Sequence, residues 1–139
     1  MIRGVAVPVV NETIRLKRLT MTRIVGTAVS LDALTLPDDV IFLRLAPDEA
    51  YIYPPTKVEL SDEWAIVKQD SGMAGAWMPA EMMTDLLERL CEWEVPTVRP
   101  VLCQGMVAGL PAKLWVEKER ALLLVPGSLL AEMEARINV

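Results

Sequence analysis

An α+β fold, a mostly antiparallel sheet with two late helices packed on it, is what this 139-residue sequence predicts. Three observations lead there. Short β-branched and apolar runs recur along the chain, divided by ten prolines and seven glycines, so most elements are short and extended. After Pro79 the apolar spacing lengthens to between three and four residues, the mark of an amphipathic helix. A second stretch with that spacing closes the chain after Ser128.

The elements follow in order. Val5–Val10, Thr13–Leu19 and Thr22–Leu31 read as strands, and Pro37-Asp38-Asp39 as a polar turn. Val40–Leu45 is the clearest strand; with a turn at Pro47-Asp48-Glu49 and a return at Ala50–Tyr53 it makes a hairpin. Trp64–Lys68 is a further strand, and Ser71-Gly72 is expected to turn the chain into Met73–Met78. Pro79 suits a first helical position and Glu81 the positive end of the helix dipole. Met82/Met83, Leu86/Leu87 and Leu90/Cys91 then form one apolar face, opposite Glu81, Asp85, Glu88 and Arg89. Strands return at Thr97–Gln104, Ala112–Glu117 and Ala121–Val125, the last two as a hairpin with Lys118-Glu119 at its tip. Ser128 is the expected N-cap of a final helix whose stripe is Leu129/Leu130, Met133 and Ile137.

Length and composition set the class. One domain is expected over residues 1–139, with 53% hydrophobic residues to fill its core. The longest uncharged run, Pro100 to Ala112, is broken by Pro100, Gly105, Gly109 and Pro111. That is too short and too interrupted to span a bilayer. A signal peptide is not expected either, so the sequence reads as a soluble cytoplasmic protein and Asn11-Glu12-Thr13 as an accidental sequon. Cys91 and Cys103 form no CxxC; both are expected reduced, at least one of them in the core.

Charge is uneven. Residues 1–35 carry five basic and two acidic groups, whereas residues 36–139 carry nine basic and seventeen acidic ones. A basic, strand-rich first segment thus precedes an acidic α+β body. Such a body repels a phosphate backbone, which argues against nucleic-acid binding.

Reactive chemistry is sparse. The chain has no histidine, so it lacks the commonest general base and metal ligand, and no Ser-His-Asp or Cys-His arrangement can form within it. Neither phosphate-loop motif is present. Gly72-Met73-Ala74-Gly75 and Gly105–Gly109 read as turns or bulges. No catalytic residue and no metal site is expected. Four residues, Asp70, Ser71, Trp77 and Trp115, have a ligand- or partner-contact reading beside a structural one. Asp70, beside Ser71 and Gly72, either orients a polar edge of a ligand or accepts backbone bonds in an Asx turn. Trp77 and Trp115 either pack the core or offer a stacking surface.

From about residue 40 onward the sequence resembles the gamma subunit of heterotetrameric sarcosine oxidase. More distantly it is similar to the folate-binding domain of the glycine-cleavage aminomethyltransferase family. Leu43–Glu49 resembles that family's strand followed by a Gly-Pro-Asp-Glu turn, and Ala65–Ser71 its valine-rich strand ending in Asp-x-Ser. Pro79–Val95 is similar to its helix. Ala108-Gly109-Leu110-Pro111 leads into Leu114-Trp115, and Leu122–Ser128 enters the last helix, as in the family. The resemblance implies an accessory or assembly domain in a flavoprotein complex of one-carbon metabolism, with flavin and chemistry in other subunits. Tetrahydrofolate enters only through it. The alternatives are a stand-alone binder of folate or a similar flat ligand, and a self-associating protein. In the last case the basic first segment of one chain would meet the acidic body of another.

Overall fold

The computed structural model describes residues 13–139. The strand expected at Val5–Val10 lies outside the described residues. Among the described residues seven strands form one antiparallel sheet: β1 Lys17–Val25, β2 Ile41–Ala46, β3 Glu49–Tyr53, β4 Ile66–Pro79, β5 Val101–Val107, β6 Leu110–Val116 and β7 Arg120–Pro126. Their spatial order is β2-β3-β1-β4-β7-β6-β5. The helices are α1 Ala28–Asp32, α2 Ala80–Leu90 and α3 Leu130–Ile137. The predicted class, an antiparallel sheet with helices late in the chain, is the one observed.

The 14-residue β4 is the seam. Its first half pairs with β1, from Val25↔Ile66 to Met21↔Asp70, and its second half pairs with β7, from Met73↔Pro126 to Pro79↔Arg120. Between Leu19↔Met73 and Met21↔Asp70, β4 has one residue more than β1, so a bulge sits at Ser71-Gly72. That bulge flips the side-chain alternation. Lys68 and Asp70 before it therefore share a face with Met73 and Trp77 after it.

The shared inner face carries Leu19, Met21, Leu43, Tyr51, Met73, Leu122 and Leu124, drawn from both halves of the sheet. The halves curl over this cluster, and Gln104 on edge strand β5 reaches the carbonyl of Leu45 on edge strand β2 at 3.2 Å. The outer face of the second half is covered by α2 and α3, which bury Met83, Leu86, Met133 and Ile137 against Leu114, Leu123 and Val125. The outer face of the first half is covered by α1 and the segment after β3, around Ile24, Leu31, Ala50 and Ile52.

Several expectations need correcting. Ser71-Gly72 does not reverse the chain, because β1 pairs with β4 both before and after it and holds the strand extended through it. Thr13–Leu19 and Thr22–Leu31 are not two strands. One strand runs Lys17–Val25, and α1 follows because Thr27 caps it, its hydroxyl accepting the Ser30 N–H at 3.2 Å. Pro79 is the last residue of β4 and caps α2 from outside, with Glu81 in the first turn. Ser128 caps nothing: Gly127–Leu129 winds into a 3-10 turn and α3 starts at Leu130. The β5–β6 turn is tight, with positive φ at Ala108 (53°) and Gly109 (79°).

Candidate functional site

The strand register brings two of the four singled-out residues together. Trp77 pairs with Leu122, Leu122 with Trp115, and Trp115 with Leu102, so β4, β7, β6 and β5 present one apolar row on the inner face. Both indoles are half-buried against the inner cluster. Just beyond the row, the β6–β7 hairpin returns a polar bracket. The Arg120 guanidinium carbon lies 3.7 Å from the centroid of the Trp77 ring. Arg120 Nε also donates to Glu117 Oε1 at 2.8 Å, and Trp115 Nε1 donates to Glu117 Oε2 at 2.8 Å. Burial by itself raises the Glu117 pKa, but the bonds from Arg120 and Trp115 outweigh it and hold the carboxyl below its ordinary value. A groove of about 420 Å3 opens here, lined by Trp115, Arg99, Pro100, Lys118 and Glu119 with the bracket.

Asp70 and Ser71 lie elsewhere. Seven residues of extended chain separate Asp70 from Trp77, on the order of 20 Å along β4. Asp70 Oδ1 accepts the Gly72 N–H at 2.7 Å, the Asx geometry. Ser71 Oγ meets Thr20 Oγ1 at 2.9 Å, and its carbonyl accepts Arg18 Nη1 at 3.0 Å. These contacts fasten the bulge. Nearby, burial first and the negative Asp70 second push the Tyr51 phenol up.

A second, larger groove was not visible in the sequence. About 670 Å3 in volume, it lies between α2, residues 91–99 and the β6–β7 turn. Leu87, Cys91, Trp93 and Val95 are among its apolar lining, and Glu88, Glu92 and Glu94 among its carboxylates. Trp93 lies flat where Gly105 leaves room: a Cβ there would meet the indole at 2.7 Å. Its Nε1 donates to the Met106 carbonyl at 2.8 Å. Cys103 is buried, with its thiol pKa pushed up by that burial, whereas Cys91 is half-buried; both are free thiols.

Sequence reasoning missed Arg120 and Glu117. The spacing Glu117-x-x-Arg120 around a hairpin tip was the available signal, since it returns the two charges to one side of the turn.

Among the described residues no group of three or more Cys, Asp or Glu is placed to hold a metal ion, and no helix is long and apolar enough to cross a membrane. No protein-family model matches the chain, and no curated protein matches it by sequence. The solved structures do offer a match. A chain of the heterotetrameric sarcosine oxidase from Corynebacterium sp. U-96, in complex with pyrrole 2-carboxylate, superposes with a TM-score of 0.65. The fold is similar to that of a sarcosine oxidase subunit. The match covers 88% of this chain and 80% of the other at 13% identity, so it speaks to architecture. Residues 40–139 are 100 of the 139, less than 88% of the chain, so the match also takes in residues before position 40.

Proposed function

We propose that this chain is a non-catalytic accessory or assembly domain of a sarcosine oxidase-type one-carbon flavoprotein complex. The observation that carries the reading is the fold likeness to a chain of a heterotetrameric oxidase across 88% of this one. The chemistry of the side chains agrees with it. A chain without histidine has no imidazole base, and its best-organised polar cluster, Glu117 with Arg120, is closed on itself as an ion pair. The apolar groove beside α2 gives such a domain a surface on which another subunit can bury side chains. The test is co-purification from native extract. The expected result is a stable complex in which flavin absorbance co-migrates with this chain and the flavoprotein is identified by mass. A monomer that brings down no flavoprotein removes the reading.

A second reading, a stand-alone binder of folate or a similar flat heteroaromatic ligand, is favoured by the shared row of Trp77 and Trp115. Arg120 already covers one face of Trp77, so a stacked ligand has to displace it or use Trp115. Asp70 and Ser71 would then act at a separate place on β4. Titrating tryptophan fluorescence with tetrahydrofolate tests this, and an unchanged signal at high micromolar ligand eliminates it.

A further inference from the structure

The edges of the sheet are treated unequally. On β2, the Leu45 carbonyl accepts from Gln104 and the Ala46 carbonyl from Arg44 Nε at 3.1 Å. On β5, the Met106 carbonyl is taken by Trp93. Among the described residues the first half of β4 has no such cover. Its partner on one side is β1, and β7 reaches it only from Met73 onward. Three exposed apolar side chains sit at this place: Trp64 (84% exposed), Ile66 (52%) and Val67 (38%).

The hydrogen-bond phase tells which groups face outward. Gly26 N–H donates to Asp48 O at 3.0 Å, so Gly26 turns its backbone toward β3. Alternation along β1 then turns Val25, Arg23 and Met21 toward β4, where they oppose Ile66, Lys68 and Asp70. Val67 and Gln69 are left with N–H and C=O pointing to the open side. Among the described residues, no hydrogen bond reaches these groups from that side.

We propose that this edge pairs with the same edge of a second copy, antiparallel, about a two-fold axis through Gln69. In that register each Gln69 exchanges backbone bonds with its counterpart. Lys68 of each copy stands opposite Asp70 of the other, twice by symmetry and on the same sheet face. Neither Lys68 nor Asp70 has an ion pair among the described residues, and Asp70 Oδ2 is not used in its turn. The neighbouring register that also keeps Val67 and Gln69 bonded sets Lys68 against Lys68, which like-charge repulsion disfavours. The sequence Lys68-Gln69-Asp70 is thus self-complementary at the uncovered stretch of β4. This pairing is independent of the flavoprotein reading and uses neither groove.

Sedimentation of the full chain over rising concentration, with Lys68→Asp, Asp70→Lys and the double exchange, tests it. The wild type should dimerise. Each single reversal should weaken the dimer about tenfold or more, and the double exchange should return it to within about threefold of wild type. Because Asp70→Lys also removes the turn bond to Gly72, amide exchange on the wild type gives a second readout. The Val67 and Gln69 amides should slow as the dimer forms, while Lys68, already bonded to β1, should not respond. A wild type that stays monomeric overturns the proposal and leaves the edge to a strand of another protein. A folded double variant that fails to recover, or Val67 and Gln69 amides indifferent to concentration, overturns it equally.

Discussion

One strand, β4, meets two fates. From Met73 to Gly75 it has neighbours on both sides, and all three residues are buried. From Ile66 to Gly72 it has one neighbour and its side chains are mostly exposed, although Ile66 and Val67 are as β-favouring as anything in the second half. Burial in this sheet thus follows the number of flanking strands more closely than the hydrophobicity of the residue. The bulge at Ser71-Gly72 marks the change and keeps one face continuous across it.

The sharpest way to break that comparison is a matched pair of truncations. Leu123→Ala, on β7 opposite Ala76 and fully buried, should cost about 2–5 kcal/mol in urea unfolding. Val67→Ala, in the singly flanked half, should cost under about 0.5 kcal/mol. Equal losses would mean that the first half is buried in the isolated chain after all.

Gly75 sharpens it further. A Cβ at this position would run into the Leu123 carbonyl, a backbone atom that cannot swing aside. Gly75→Val should destabilise by about 1–3 kcal/mol, whereas Gly72→Ala, which meets only the Asp70 carboxylate, should be much milder.

The polar bracket predicts smaller effects. Arg120→Ala should remove about 0.5–1 kcal/mol and shift tryptophan emission, since Trp77 loses its cation. Glu117 has its folded pKa depressed, so its contribution is present above the ordinary carboxylate value of 4.5 and is lost as pH falls through the folded value. Glu117→Gln should therefore flatten the acid limb of a thermal-stability profile and leave the neutral region less affected.

The smallest perturbation is chemical labelling. Cys91, half-buried at the larger groove, should react with a thiol reagent well before Cys103, which is buried and whose thiol pKa is raised. Equal rates would show that the outer core beneath α2 opens readily.

Much of this was legible along the chain. The helix over Ala80–Leu90, the hairpins Ile41–Tyr53 and Leu110–Pro126, and a late helix all follow from local period and turn residues. Three misreadings share a cause. Ser71-Gly72, Thr27 and Ser128 each favour several backbone roles, and the competing choices differ by too little for local preference to decide. Pairing with β1 on both sides of it made the first a bulge. The Thr27 hydroxyl, free to accept from Ser30, made the second a cap. A tightened turn at Gly127 displaced the third.

The candidate site divides the same way. Composition alone determined that no imidazole chemistry is available to this chain, because a residue type that is absent cannot be supplied by folding. Only the tertiary structure decided that Trp77 and Trp115 share a row, that Arg120 covers one of them, and that Asp70 stands apart. Strand register between segments about forty residues apart is set by the packing of both sheet faces together, and no local stretch of sequence contains it.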